Sequence, residues 1–418
     1  MYFSNFFSRT AALALAVILV TACGGGGGSA PAQTNLPGTP TLNGLPNPPA
    51  VSNLLSVTVD TGPAGTGYNV NRLYTTVSIC SPGSTTQCQT IDHVLVDTGS
   101  TGLRLLSSVM APGLNLSRLT GDSGLALLNC VKFLDLTSAW GPVATADIVL
   151  GGKTAANVPI QIIADPTFNG LASTCSGGGT SITTAAILGA NGILGIGLFK
   201  EDCGPNCATT ANNGAYFTCS DAGCTGISGV KASIDKQIKN PVPLFAADNN
   251  GILIDLPAVI PPGTSTLNGS LVFGIDTRSN NQLASSRVLT TSALGDITTL
   301  LGAQSLTTSF IDTGSNGLYF DSSTIPSCAG SSAGFYCPTS STNLSATLVG
   351  ANAVASLPVS FSIDNALALF AGGTNTVLPT LGGNIGHSTT FDWGLPFFYG
   401  RRVFIGIESQ TSLPFYAF

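Results

Sequence analysis

Three features of this 418-residue chain predict an all-β protein built as two related lobes. Its apolar runs are short, β-branched and bounded by Gly, Pro or Asn. Charged residues make up only 8% of the chain, while 51 glycines and abundant Ser and Thr supply turns and polar strand faces. One acid-bearing phrase occurs twice, as VLVDTGSTGLRLL at 94–106 and FIDTGSNGLYF at 310–320, each time behind a strand-like run. A chain of this length exceeds one ordinary domain and has room for two lobes of roughly 150 to 200 residues.

The N-terminal segment, MYFSNFFSRTAALALAVILVTAC, carries one Arg, then an apolar run from Ala11 to Val20, then small residues. That run is short for a stable bilayer-spanning helix, and residues 1–22 read as a secretory signal peptide. Val20-Thr21-Ala22-Cys23 also resembles the lipobox of bacterial lipoproteins. The resemblance implies lipid attachment at Cys23 and export to the bacterial cell envelope, on the outer membrane or periplasmic face; ordinary cleavage after Ala22 is the alternative. Residues 23–50, with Gly24 to Gly28 followed by Pro, Ala and Asn, have the composition of a tether. The membrane would then be a partner through the lipid, since several acyl chains hold far more firmly than one.

The first lobe is expected over 51–250 and the second over 251–418. Strands are expected at LSVTV (55–59), TTVSI (75–79), HVLV (93–96), ADIVL (146–150) and VPIQII (158–163), then at SLVFGI (270–275), LPVSFSI (357–363) and RVFIGI (402–407). Helical periodicity is scarce, with KASIDKQIKN (231–240) the fair candidate. A second echo extends the repeat: Gly151 stands eight residues before Pro159, and Gly350 eight before Pro358, each pair between apolar runs downstream of its Asp-Thr-Gly-Ser. Duplication of one β lobe explains both echoes.

Apart from Cys23, ten cysteines remain of the eleven, an even number that reads as disulfides in an exported chain. Close spacing points to Cys80 with Cys88 and Cys328 with Cys337, and Cys130 with Cys175 is a third candidate; spacing does not fix connectivity. Cys203, Cys207, Cys219 and Cys224 could alternatively form a four-thiolate zinc site. An oxidising compartment and the distance of His93 and His387 in sequence argue for disulfides.

An Asp at a strand tip followed by Thr and Gly can sit on a tight turn, where Gly lets the backbone approach closely. Two such turns facing each other would bring Asp97 and Asp312 within hydrogen-bonding distance. Like charges that close cannot both ionise, so the pair shares a proton, one member acting as base and the other as acid. Water held between them becomes a nucleophile towards a peptide carbonyl.

On these motifs the chain resembles the pepsin-like aspartic peptidases over roughly residues 70–418. The resemblance implies their bilobal acid-protease fold with pseudo-twofold symmetry and makes Asp97 and Asp312 the catalytic pair. Thr98 and Thr313 would interlock beneath them, Gly99 and Gly314 form the turns, and Ser100 and Ser315 bond the outer carboxylate oxygens. NGILGIG (191–197) matches the family's apolar-apolar-Gly element through Ile193, Leu194 and Gly195, and FDWGLPFF (391–398) matches it more loosely around Trp393 and Gly394. GSLVFGIDT (269–277) and the C-terminal VFIGIESQTSLPFYAF resemble the family's strands at those places. The flap hairpin departs from the pattern. Phe133 stands where the family has Tyr, Leu134 and Leu136 replace glycines, and Leu103-Arg104-Leu105 occupies the place of the customary Trp. Phe133 and Trp140 are therefore the flap candidates, with a core role for Trp140 the alternative.

A formal net charge of −6, from 14 basic and 20 acidic residues, leaves no cationic surface for nucleic acid. Gly121-Asp122-Ser123-Gly124 matches a serine-peptidase nucleophile segment, but His93, thirty residues upstream, leaves no room for that family's first barrel and Asp. Gly151-Gly152-Lys153-Thr154 ends like a P-loop yet has Asp147 where the first glycine belongs, and reads better as a hairpin loop. The expectation is an envelope-anchored, monomeric aspartic endopeptidase that takes a polypeptide in the inter-lobe cleft and needs no metal or organic cofactor. The alternative is a weak or inactive pepsin-like lipoprotein that binds peptides or glycans.

Overall fold

Each of the eight apolar runs forms or joins a strand. The computed structural model describes residues 52–176, 179–220 and 223–418; the segments expected to be signal peptide and tether, with Cys23, lie outside the described residues. Among these, the strands form a fifteen-stranded and a seven-stranded sheet, with only short helical turns between them. The larger sheet takes strands from both halves of the chain, since Leu54–Val59 pairs with Leu267–Phe273. The smaller sheet is drawn from the second half, from Ile297–Leu301 to Phe391–Trp393.

The internal repeat is structural as well as sequential. In the first half, strand Cys88–Asp97 runs parallel to Gly192–Ile196, and that strand lies antiparallel to Thr101–Leu106. In the second, Gln304–Ile311 runs parallel to Phe391–Trp393, which lies antiparallel to Leu318–Phe320. Both halves thus insert a strand from far along the chain between the strand entering the Asp turn and the strand leaving it. The Gly-to-Pro echo has the same meaning in each half. Gly151 turns the hairpin Ser138–Leu150 to Lys153–Ile163, with Thr145 opposite Pro159, and Gly350 follows strand Thr342–Val349, whose Thr347 faces Pro358. At Gly151, φ is +56° and an added Cβ would lie 2.6 Å from the Leu54 carbonyl oxygen, so glycine is required there.

One expectation fails. KASIDKQIKN does not form a helix; only Ile234–Lys236 makes a single 3₁₀ turn. Tertiary hydrogen bonds claim the segment instead, for the Gln237 side chain is buried and bonds both the Gly204 backbone and the Ala232 carbonyl. A short stretch ending at Pro241 cannot offset such ties by local helix propensity.

Five disulfides join Cys80–Cys88, Cys130–Cys175, Cys203–Cys207, Cys219–Cys224 and Cys328–Cys337. The three pairings picked out by sequence are among them. The four cysteines weighed as a zinc site are consumed in two of these bonds, which removes that alternative. Disulfides in this number belong to an oxidising compartment. The two rejected motifs are ordinary turns. Ser123 is exposed beside a Gly124 N–H to Gly121 C=O bond of 3.0 Å, and Lys153 pairs with Asp248 at 2.7 Å.

Candidate active site

Because each Asp ends a buried strand and is followed by Thr-Gly-Ser, the two turns can meet edge to edge, and they do. The Thr98 N–H donates to Thr313 Oγ1 at 3.1 Å, and the Thr313 N–H donates to Thr98 Oγ1 at 3.0 Å. Each threonine hydroxyl continues across to the opposite strand, Thr313 to the Val96 carbonyl at 2.7 Å and Thr98 to the Ile311 carbonyl at 3.3 Å. This reciprocal lattice satisfies the buried backbone groups of both turns and fixes their separation.

The carboxyls sit directly above it. The Gly99 N–H donates to Asp97 Oδ1 at 2.9 Å and also to Asp312 Oδ1 at 3.0 Å, so one amide holds both inner oxygens. The Gly314 N–H donates to Asp312 Oδ1 at 2.6 Å. Outer oxygens are held by the serines: Ser100 Oγ donates to Asp97 Oδ2 at 2.5 Å and Ser315 Oγ to Asp312 Oδ2 at 2.9 Å. Gly314 is sterically obligatory, because an added Cβ would stand 2.6 Å from Asp97 Oδ1 and 3.1 Å from Asp312 Oδ1. Asp97, Thr98, Gly99, Ser100, Asp312, Thr313, Gly314 and Ser315 therefore come together as one constellation.

Electrostatically the pair is asymmetric. Burial and the neighbouring Asp312 charge push Asp97 up to about 7, against a hydrogen bond from Ser100 that favours its ionised form. Burial also opposes ionisation of Asp312, while bonds from the Asp97 side chain and the Gly314 amide favour its ionised form. Such a pair holds one proton between two sites over a wide pH range, and its titration belongs to the pair as a whole.

Residues 49–418 match the family described as "Protein of unknown function (DUF3443)". The chain belongs to this family. No curated protein matches this DUF3443 chain. Among solved structures it is similar to the crystal structure of aspartic proteinase from Irpex lacteus, with 14% identity and a TM-score of 0.45 over 87% of this chain and 96% of that one. The fold of the DUF3443 chain is all-β and duplicated about the paired turns, as the sequence resemblance implies.

The flap candidates lie on the hairpin of Leu127–Lys132 and Ser138–Leu150, in two different apolar clusters. Phe133 begins the hairpin turn, its N–H bonded to the Thr137 carbonyl at 2.9 Å, and its ring is buried with Tyr74, Leu95 and Ile193. Trp140 is buried against Phe168, Phe217 and the Cys130–Cys175 bond, and its indole N–H donates to the Phe168 carbonyl at 3.1 Å. At the turn itself Leu136 is 67% exposed.

Two residues near the site have no counterpart among the sequence expectations. Asn71 is wholly buried; its Nδ2 donates to the Asn316 and Leu378 carbonyls at 2.8 Å each, and its Oδ1 accepts from Leu378 N and the Tyr399 hydroxyl. It thereby pins the residue that follows Ser315. Asp392, on strand Phe391–Trp393, is a third buried carboxyl close enough to feel both members of the pair. The sequence signal for it was the acid inside FDWGLP, at a place where the matching NGILGIG is apolar.

Proposed function

We propose that this protein is an aspartic endopeptidase, exported and anchored at the bacterial envelope through Cys23, that hydrolyses peptide bonds with the Asp97–Asp312 pair. The observation carrying this reading is the single Gly99 amide bonded to both inner oxygens, which holds two carboxyls close enough to share a proton. A water placed against the pair would lose a proton to the ionised carboxylate, Asp312, as it attacks the scissile carbonyl. The protonated partner, Asp97, would supply a proton to the carbonyl oxygen and recover it as the tetrahedral intermediate collapses, while Asp312 passes the proton taken from water to the departing amine. With Asp97 held near 7, the pair keeps a shared proton throughout mildly acidic pH, so activity belongs on the acid side of neutrality. The substrate would lie between the two lobes, 51–250 and 251–418, with a monomer as the working unit. The five disulfides support an exported location.

A second reading, a weak or inactive binding protein for peptides or glycans, is favoured by the burial of both carboxyls and of Phe133, and by the missing flap phenol. Cleavage of an unfolded protein at pH 3 to 6 separates the two. The wild type should cut, and Asp97→Asn and Asp312→Asn should each lose on the order of 10³-fold or more in kcat/KM. Equal inertness of all three proteins would sink the peptidase reading. A statine-type transition-state analogue should raise the melting temperature of the wild type and not of the variants.

A further inference from the structure

Away from the paired turns, the second half holds a crevice of about 200 Å³, and none of the residues lining it belongs to either turn. Its apolar side is built from two neighbouring elements. Strand Phe391–Trp393 runs into the 3₁₀ turn Leu395–Phe398 and brings together Trp393 and Phe397, both buried, with ring centroids 5.3 Å apart. Strand Ser356–Ile363 adds Val359 and Phe361, the latter ring set edge-on to Trp393 at 5.2 Å. An apolar cavity of about 150 Å³ is enough to take up benzene, so this crevice has room for a single ring.

The polar groups of the crevice are incompletely matched. Arg401 lines it, half-buried, with its guanidinium 4.7 Å over the Phe397 ring and its Nη1 donating to the Phe397 carbonyl at 2.6 Å. A guanidinium has five N–H donors, yet Arg401 forms no ion pair among the described residues, whereas the adjacent Arg402 pairs with Asp255 at 3.4 Å. Burial weighs against the charge of Arg401 and lowers its pKa. Thr380 also lines the crevice; it is 4% exposed, and its hydroxyl has no hydrogen-bond partner among the described residues. An unmatched cation and an unsatisfied buried hydroxyl both cost stability, and an anion seated beside them offsets both.

We infer that this crevice is a binding site for an apolar carboxylate, taken with its hydrocarbon body against Phe361, Trp393 and Phe397 and its carboxylate on the remaining N–H donors of Arg401. The planar fork of a guanidinium matches the two oxygens of a carboxylate. The aromatic wall and the room for one ring select a body the size of a phenyl or branched alkyl group and leave no space for a nucleotide or a sugar chain. Two sources supply this chemistry: a free aryl or branched-chain acid, and the C-terminal residue of a peptide with an apolar side chain. The inference stands apart from the peptidase reading, since it uses neither Asp97 nor Asp312.

The chain has two tryptophans, Trp140 and Trp393, so the two indole N–H signals of the ¹⁵N-labelled full-length protein report the crevice directly, with Trp140→Phe to assign them. Added 3-phenylpropionate should shift the Trp393 signal, leave that of Trp140 in place and saturate with a Kd of about 1 mM or lower. The uncharged 3-phenylpropanamide should bind about tenfold more weakly, because it forfeits the charge-assisted bond. In Arg401→Gln the acid should fall to the level of the amide; a variant that only loosened the fold would weaken both alike, and binding at the paired carboxyls would not depend on Arg401. A tetrapeptide ending in Phe, beside its C-terminal amide, separates the sources. The same preference for the acid assigns the crevice to chain termini, and binding of 3-phenylpropionate alone assigns it to a free acid. Equal affinity for acid and amide, an unmoved Trp393 signal, or a preference for the acid that survives Arg401→Gln would overturn the proposal. So would Trp393 shifts that follow protein concentration alone, which would seat a second copy of the chain there. Should Arg401→Gln fail to fold, the acid–amide comparison on the wild type decides. None of these measurements needs turnover, so an inert wild type would count against the peptidase reading only.

Discussion

A carboxyl beside another carboxyl is defined by tenths of an ångström, and here one hydrogen atom sets the limit. Gly314 has no side chain, and the space it leaves is where Asp97 Oδ1 comes within 2.6 Å of the absent Cβ. Gly314→Ala must push Asp97 away from Asp312 or shift the turn that the threonines hold fixed. If the protein is a peptidase, a displacement of that kind should cost roughly 100-fold in kcat/KM, since positioning of reacting groups is sensitive at the 1 Å scale. It should also lower the Asp97 midpoint from about 7, because part of that elevation comes from the nearby Asp312 charge. A variant with wild-type kinetics and an unmoved Asp97 titration would show that the close approach is incidental. The same scale explains what was readable beforehand. Asp, Thr, Gly and Ser announce their roles because the turn needs each in a fixed order. Asn71 was silent, for its four partners come from Asn316, Leu378 and Tyr399, more than two hundred residues away.

At the level of elements, the hairpin that carries Phe133 and Trp140 is held by a bond of unusual span for this chain. Cys130 and Cys175 are 45 residues apart, against separations of 4 to 9 for the other four disulfides. Closing the longer loop removes more freedom from the unfolded chain. Replacing both cysteines by Ser should therefore lower stability by about 3 kcal/mol, more than the same change at Cys203 and Cys207, measured by denaturant unfolding with m checked for constancy. A smaller loss at Cys130–Cys175 than at Cys203–Cys207 would contradict the loop-closure account. Strands were legible because β-branched runs between turn residues leave few other options, and the Gly-to-Pro echo located equivalent hairpins correctly. Segment 231–240 was misjudged because its helical spacing is a weak local preference, while the buried Gln237 bonds that override it are long-range. The acid in FDWGLP carried no signal in a segment matched around Trp393 and Gly394, since it stands out only when Ile193 is seen to occupy the matching register in the other half.

For the molecule as a whole, buried acids pull stability in opposite directions as pH changes. Asp97 has a folded-state pKa near 7, raised from 3.8, so its contribution is fully present below 3.8 and is lost as pH climbs through 7. Asp392 is raised too and acts in the same sense. Asp248 behaves oppositely. Burial disfavours its charge, but hydrogen bonds from Arg278, Lys153 and Thr277 outweigh that and hold it down to about 2; its contribution is present above 3.8 and is lost as pH falls through 2. Stability should therefore peak in mildly acidic solution, with the melting temperature falling by about 5 °C or more between about pH 4.5 and 8 and falling again below about pH 3. Asp97→Asn should flatten the upper limb and spare the lower one. Asp248→Asn should flatten the lower limb and, above about pH 4, destabilise the protein by about 3 kcal/mol, because it strands the charge of Lys153, whose side chain is only 5% exposed. Calorimetry across the pH series checks all three proteins together. A wild-type melting temperature that rose steadily from pH 4.5 to 8 would mean that the paired acids are not held protonated by the fold, and the asymmetric proton-sharing site would fall with that result.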